Sequence, residues 1–177
     1  MQSTIFKSAM NNGLLLGLLF SLNSFFAFSR YGNLTLVSDI VFILIIVTTY
    51  HTTKKYRDKY CNGTISFAKS HNFIVYSFFF GSLISTITKY IYFKYIDTSF
   101  LSDVIYNQSI QNFKTIGKTL TEEEIELFKA FMNNTFSFCI QFIWINLFFG
   151  TILGLILSFF IKRKESDQSG QVKNIEV

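Results

Sequence analysis

Four stretches of this chain stay apolar for about the 20 residues that a helix needs to cross the hydrocarbon core of a bilayer. They run from about Met10 to Phe28, Leu34 to Tyr50, Phe73 to Tyr92 and Thr135 to Ile161. A segment in lipid must satisfy every backbone polar group within itself, and a single helix does that. With 50% of 177 residues hydrophobic and 15% charged, the chain is too apolar for an ordinary soluble domain. The expected fold class is all-α: a polytopic membrane four-helix bundle. It forms one integral membrane domain over residues 1–164, and a polar, disordered cytoplasmic tail covers 165–177. Pro is absent, so any kink must come from Gly, Ser or polar insertions.

Two blocks need an argument. Asp39 in the second block costs about 3 kcal/mol near a span centre, but each Leu, Ile, Val or Phe returns about 0.3–0.6. Asp39 is off-centre and its apolar neighbours are many, so insertion wins. In the first block, Lys7 and the small residues Ala27 and Ser29 also resemble a signal peptide. Its length, and a second block that follows almost at once, favour a retained span.

The positive charges sit between and after these blocks. The stretch from His51 to Asn72 holds Lys54, Lys55, Arg57, Lys59 and Lys69 against a single acid, Asp58. Lys162, Arg163 and Lys164 follow the fourth block, and Lys7 precedes the first. The short first loop has only Arg30. Lys and Arg in short loops mark the cytoplasmic side. The expected topology therefore puts both termini and the basic loop in the cytoplasm, in a cell inner membrane. His51 and His71 flank the basic loop and read as solvated.

The segment from Asp97 to Asn134 should then face outward. Six acids against three lysines give it a net charge of −3. "LTEEEIELFKAFM" carries a capping box, with Thr121 as N-cap and Glu124 three residues on. Ile125, Phe128 and Met132 share a face at helical spacing. Phe100 to Ile116 has weaker helical spacing and ends at Gly117, a natural stop. Two short amphipathic helices are expected, either lying on the membrane surface or packed on the bundle as a cap.

Three blocks share a stripe of small residues, one per helical turn: Gly13, Gly17 and Ser21; Ser77, Gly81 and Ser85; Gly150, Gly154 and Ser158. Small residues let helix backbones approach closely in lipid. The stripes are expected to pack the bundle, with a dimer interface as the alternative for one of them. Extended by a turn, they place Lys89 and Asn146 on the same faces. Asp39 and Lys89 come at similar depths on antiparallel spans, so an ion pair between them is expected. Asn23 and Gln141 fall in the same half. Charged residues inside a membrane mark either a structural pair or an ion or substrate site.

The sequence shows no catalytic constellation, metal-ligand spacing or nucleotide-binding loop. Cys61 and Cys139 have no partner spacing for a disulfide or metal. No cofactor, metal or nucleic acid is expected, the basic residues being those of membrane-flanking loops. The expected partners are the lipid bilayer and either another membrane protein or further copies of this chain. The leading reading is a non-catalytic accessory or interaction protein. The alternative is a small oligomeric transporter or channel subunit whose polar pocket uses Asp39, Lys89, Asn146, Gln141 and Asn23. An intramembrane enzyme comes third, for want of a nucleophile.

Three stretches carry a resemblance: "KSAMNNGLLLGLL" at Lys7–Leu19, "YRDKYCNGTISFAKSHNF" at Tyr56–Phe73 and "YIYFKYIDTSF" at Tyr90–Phe100. The Tyr-Arg pair after the second span, the Gly before an Ile-Ser-Phe segment and the Ile-Asp ending of the third span are the shared elements. Together they resemble the four-pass membrane proteins grouped as domain of unknown function 4199, found mainly in Bacteroidota. The resemblance covers most of the chain and implies a four-pass topology, with no activity attached. Thr98 stands where the family has Pro, which implies a looser turn after the third span.

Overall fold

The computed structural model describes residues 2–28 and 34–163. Arg30, Lys164 and the tail 165–177 lie outside the described residues. Helix α1 spans Gln2–Ala27, α2 Thr35–Tyr60 and α3 Phe67–Ile91. A π-helical turn, Tyr92–Ile96, extends α3. A second, Leu101–Tyr106, leads into α4, Asn107–Thr115, followed by α5, Glu122–Asn133, and α6, Thr135–Ile161. Among the described residues there is no strand, only an isolated antiparallel bridge between Ile65 and Arg163. Four helical segments among the described residues are long and apolar enough to cross a membrane: Ile5–Ala27, Leu36–Tyr60, Phe67–Ile96 and Thr135–Ile161.

The helices outrun the apolar blocks. α2 continues ten residues past Tyr50, through the lysines to Tyr60, and α3 begins at Phe67. Lys, Arg and Tyr are compatible with a helix, so a change from apolar to basic marks a change of surroundings and not a helix end. The connection itself is short. Asn62 (φ 51°) and Gly63 (φ 77°) take left-handed backbone there, a conformation that closes helices. Ser66 then starts α3 by accepting from the Lys69 amide at 3.3 Å, as an N-cap does. His51 and His71 accordingly lie within α2 and α3, not in a loop.

The chain forms two compact units, divided within α3 and within α6. One takes residues up to Ser85 and from Ile145 on; the other is Thr86–Trp144. In the first unit α3 is gripped from two sides. Facing α1, a Cβ added at Gly13 would stand 2.5 Å from Phe80 Cβ, and one at Gly17 2.8 Å from Ile84 Cβ. A Cβ at Gly81 would lie 3.1 Å from Leu16 Cβ. Facing α6, a Cβ at Gly150 would meet the Phe78 ring at 2.5 Å, and one at Gly154 would stand 3.1 Å from His71 Cδ2. Ser77, Ser85 and Ser158 are fully buried. The apolar core of this unit includes Leu16, Ile45, Phe73, Ile74, Phe78 and Ile161. Large apolar side chains such as Leu18, Leu36, Ile40 and Phe148 point outward, as they do where lipid is the solvent.

The second unit is built on aromatics. Phe93 stacks on Phe100 with centroids 5.7 Å apart and meets Phe138 edge-on at 5.9 Å. Phe128 of α5 stacks on Tyr106 at 5.7 Å. The capping box of α5 is formed: the Glu124 amide donates to Thr121 Oγ1 at 3.3 Å, and the Thr121 amide donates to Glu124 Oε2 at 2.9 Å. That amide holds the Glu124 carboxyl below its ordinary range. Gly117 (φ 73°) follows α4, and a Cβ there would meet nothing within 4 Å, so its glycine answers to backbone conformation rather than crowding. Asn134 ends α5 and caps α6, its Oδ1 accepting from the Ser137 amide at 3.1 Å.

The glycine contacts make a direct prediction. Gly13→Ala or Gly150→Ala should destabilise the protein by about 1–3 kcal/mol through overpacking, although Ala gains up to about 1 kcal/mol in helix propensity. Leu18→Ala, on the exposed face of α1, should be near neutral. Thermal unfolding in detergent is the measurement. Wild-type midpoints for both glycine variants would show that these helices are not in close contact.

Candidate functional site

The polar residues inside the spans fall into separate groups. In the first unit, Asn23 near the end of α1 donates from Nδ2 to the Ser38 carbonyl at 2.7 Å. That bond ties α1 to the start of α2. Asp39 is the next residue and is exposed. Asn146, on α6, is half-buried, and its Nδ2 is enclosed without a hydrogen-bond partner. In the second unit, Lys89 is buried at 5% exposure. Its Nζ stands 4.4 Å from the centroid of the Phe142 ring. Phe142 itself meets Phe138 edge-on at 5.4 Å. Gln141, also in this unit, is exposed. Asp39 and Lys89 belong to different units.

An ammonium over an aromatic face is held by the ring quadrupole, worth about 2 kcal/mol or more where water is excluded. Phe142 therefore contributes to holding the buried charge of Lys89. On the same helix Lys94 donates to the Tyr90 hydroxyl at 2.7 Å. A hollow of about 490 Å³ opens beside that pair, bounded by Asn133, Asn134 and Phe136.

The basic residues gather in the first unit. Lys54, Lys55 and Lys59 are exposed on the last turns of α2. Arg57 is not: its side chain is 12% exposed. Nε donates to Asp58 at 2.8 Å and Nη1 to the Ile161 carbonyl at 3.2 Å. A guanidinium on a last-turn carbonyl satisfies an acceptor that the helix leaves open, and it complements the helix dipole. Next to it, Ile65 and Arg163 exchange backbone hydrogen bonds of 3.1 and 3.0 Å. Lys162 places its Nζ 4.4 Å from the Phe159 ring centroid.

Two polar features differ from what the sequence suggested: His71 is packed and not solvated, and Asn12 had not been singled out. His71 Nε2, Ser70 Oγ and Ser158 Oγ are enclosed without partners, with His71 against Gly154. The N-cap at Ser66 was the available signal, since it starts α3 early enough to put His71 on a packed face. Asn12, in the first apolar block, is the other. Cys61 is half-buried and Cys139 buried, both as free thiols. Among the described residues, no group of His, Cys, Asp or Glu is arranged to hold a metal ion.

Four apolar spanning helices and a helical insertion before the last of them define a multi-pass helical membrane protein. The chain belongs to the DUF4199 family, proteins of unknown function, whose family model matches residues 11–163. No curated protein matches the chain, and no solved structure does.

The Lys89–Phe142 contact yields a double-mutant test. Phe142→Leu should cost about 2 kcal/mol beyond any packing loss, and the same change in a Lys89→Met background should cost clearly less. Thermal unfolding in detergent measures both. Equal costs in the two backgrounds would remove the cation–ring contribution.

Proposed function

We propose that this protein is a non-catalytic accessory or interaction protein of the cell inner membrane, with the termini and the basic end of the first unit in the cytoplasm. The observation that carries the reading is the packing of that unit. α3 meets α1 at Gly13, Gly17 and Gly81, and α6 at Gly150 and Gly154, at distances that leave no room for a methyl without movement. Helices locked by such contact suit a rigid platform better than a conduit. Outside the packed faces, Trp144, Phe148, Phe159 and Phe160 of α6 stand exposed, a surface that either lipid or another membrane helix can cover. The orientation rests on Lys54, Lys55, Lys59 and Lys162 flanking the spans.

A second reading, a small oligomeric transporter or channel subunit, draws on one observation. Asn146 carries an enclosed, unpartnered amide nitrogen. In that reading Asp39, in the same unit, belongs to the polar path with it.

Crosslinking in native membranes, followed by purification and mass spectrometry, tests the first reading. It expects a single unrelated membrane protein at comparable yield. Recovery of this chain alone as a defined homo-oligomer, with solute flux lost on Asp39→Asn, would establish the second reading instead. For orientation, a membrane-impermeant thiol reagent should label Cys61 in inside-out vesicles and not in intact cells. The reverse pattern would invert the topology.

A further inference from the structure

The first unit holds a cavity of about 270 Å³ between the early turns of α1, the last turns of α2 and Phe73 of α3. Its polar wall combines Asn11 and Asn12 with Thr52, Lys55 and Lys59. Asn12 is the telling residue. It is 8% exposed, and both its Nδ2 and Oδ1 are enclosed without a hydrogen-bond partner. A buried amide with neither group satisfied forfeits the hydrogen bonds it makes with water in the unfolded chain. An amide left unpartnered at the pocket wall gains two hydrogen bonds by turning toward an occupant that can both accept and donate.

The rest of the wall specifies the occupant's charge. Lys55 and Lys59 are four residues apart, so they rise from one face of α2. Two like charges at that spacing repel, and an anion between them relieves the repulsion. The nearby acid does not supply it, because Asp58 is engaged by Arg57 at 2.8 Å. Tyr56 and Phe73 stack at 4.2 Å with ring planes 9° apart and form an apolar side. At about 30 Å³ per water, the cavity is several waters in size, enough for a phosphate with a small hydroxylated group beside it.

We propose that this cavity binds a phosphate group carrying a neighbouring hydroxyl. The lysine ammonium groups donate to the phosphate oxygens, and Asn12, whose amide atoms are enclosed in the ligand-free protein, turns its side chain toward the ligand so that Nδ2 donates to the phosphate and Oδ1 accepts from the hydroxyl. A glycerophosphate headgroup of an anionic lipid and a soluble phosphorylated polyol share this chemistry. Basic pockets between membrane helices bind lipid headgroups in this way.

The test uses the full-length protein in detergent and follows its thermal unfolding. The probes are short-chain phosphatidylglycerol, glycerol 3-phosphate, inorganic phosphate and, as a control, short-chain phosphatidylcholine. Saturable stabilisation by phosphatidylglycerol and not by phosphatidylcholine is expected. Asn12→Leu should weaken that binding by about tenfold or more, the worth of a lost charge-assisted bond, without lowering the midpoint of the ligand-free protein. Lys55→Gln with Lys59→Gln, on the exposed rim, should weaken it at least as much and guards against a folding defect in Asn12→Leu. Stabilisation by glycerol 3-phosphate as well would assign a soluble ligand, and stabilisation by phosphatidylglycerol alone a lipid headgroup. No stabilisation by any phosphate probe, an equal effect of phosphatidylcholine, or unchanged affinity in both variants would overturn the site.

Discussion

The close seating of α3 against α1 and α6 is the contact on which the first unit depends. Lipid offers no hydrophobic drive to bring these helices together, so dispersion between surfaces in contact must do it. That attraction falls steeply with distance. Glycines at Gly13, Gly17 and Gly81 bring backbone to backbone, and Gly150 opens a notch that the Phe78 ring fills. Phe78 then reaches Phe20 on one side at 5.2 Å and Phe149 on the other at 6.0 Å. One ring thus touches both neighbouring helices.

Hydroxyl groups show how the spans remain helical while carrying polar side chains. Ser21, Ser24, Thr49, Thr53, Ser77 and Thr151 each donate to the carbonyl four residues earlier, at 2.7–2.8 Å. Such bonds hide a hydroxyl within its own helix. The polar groups that stand out are those with no local acceptor to turn to, above all Asn12, Asn146 and His71.

Much of this could be read from the residues. Apolar length marked the four spanning helices, Thr121 and Glu124 marked the start of α5, and Gly117 marked the end of α4. Each is a local rule, in which a residue's own chemistry or its near neighbours decide the outcome. The connection between α2 and α3 was harder, because hydropathy reports the surrounding medium while helix ends depend on caps such as Ser66. The polar residues were visible as types. Their grouping was not, because periodicity tells which face a residue occupies and nothing of what lies opposite. Lys89 illustrates this: its burial was legible, the Phe142 ring above it was not. Asn12 was hidden for a related reason, since one amide in a leucine-rich block looks incidental until its two unpartnered atoms are seen.

The backbone exchange between Ile65 and Arg163, with Arg57 on the Ile161 carbonyl, has a consequence for how the chain is made. Arg57 and its acceptor are 104 residues apart. The turn after α2 leaves the ribosome early and waits for the residues just beyond α6. Until that last helix is in place, the amide and carbonyl of Ile65 and the guanidinium of Arg57 lack these protein partners. Completion of the basic end therefore coincides with completion of the last span, and a chain interrupted before α6 would leave this edge unfinished.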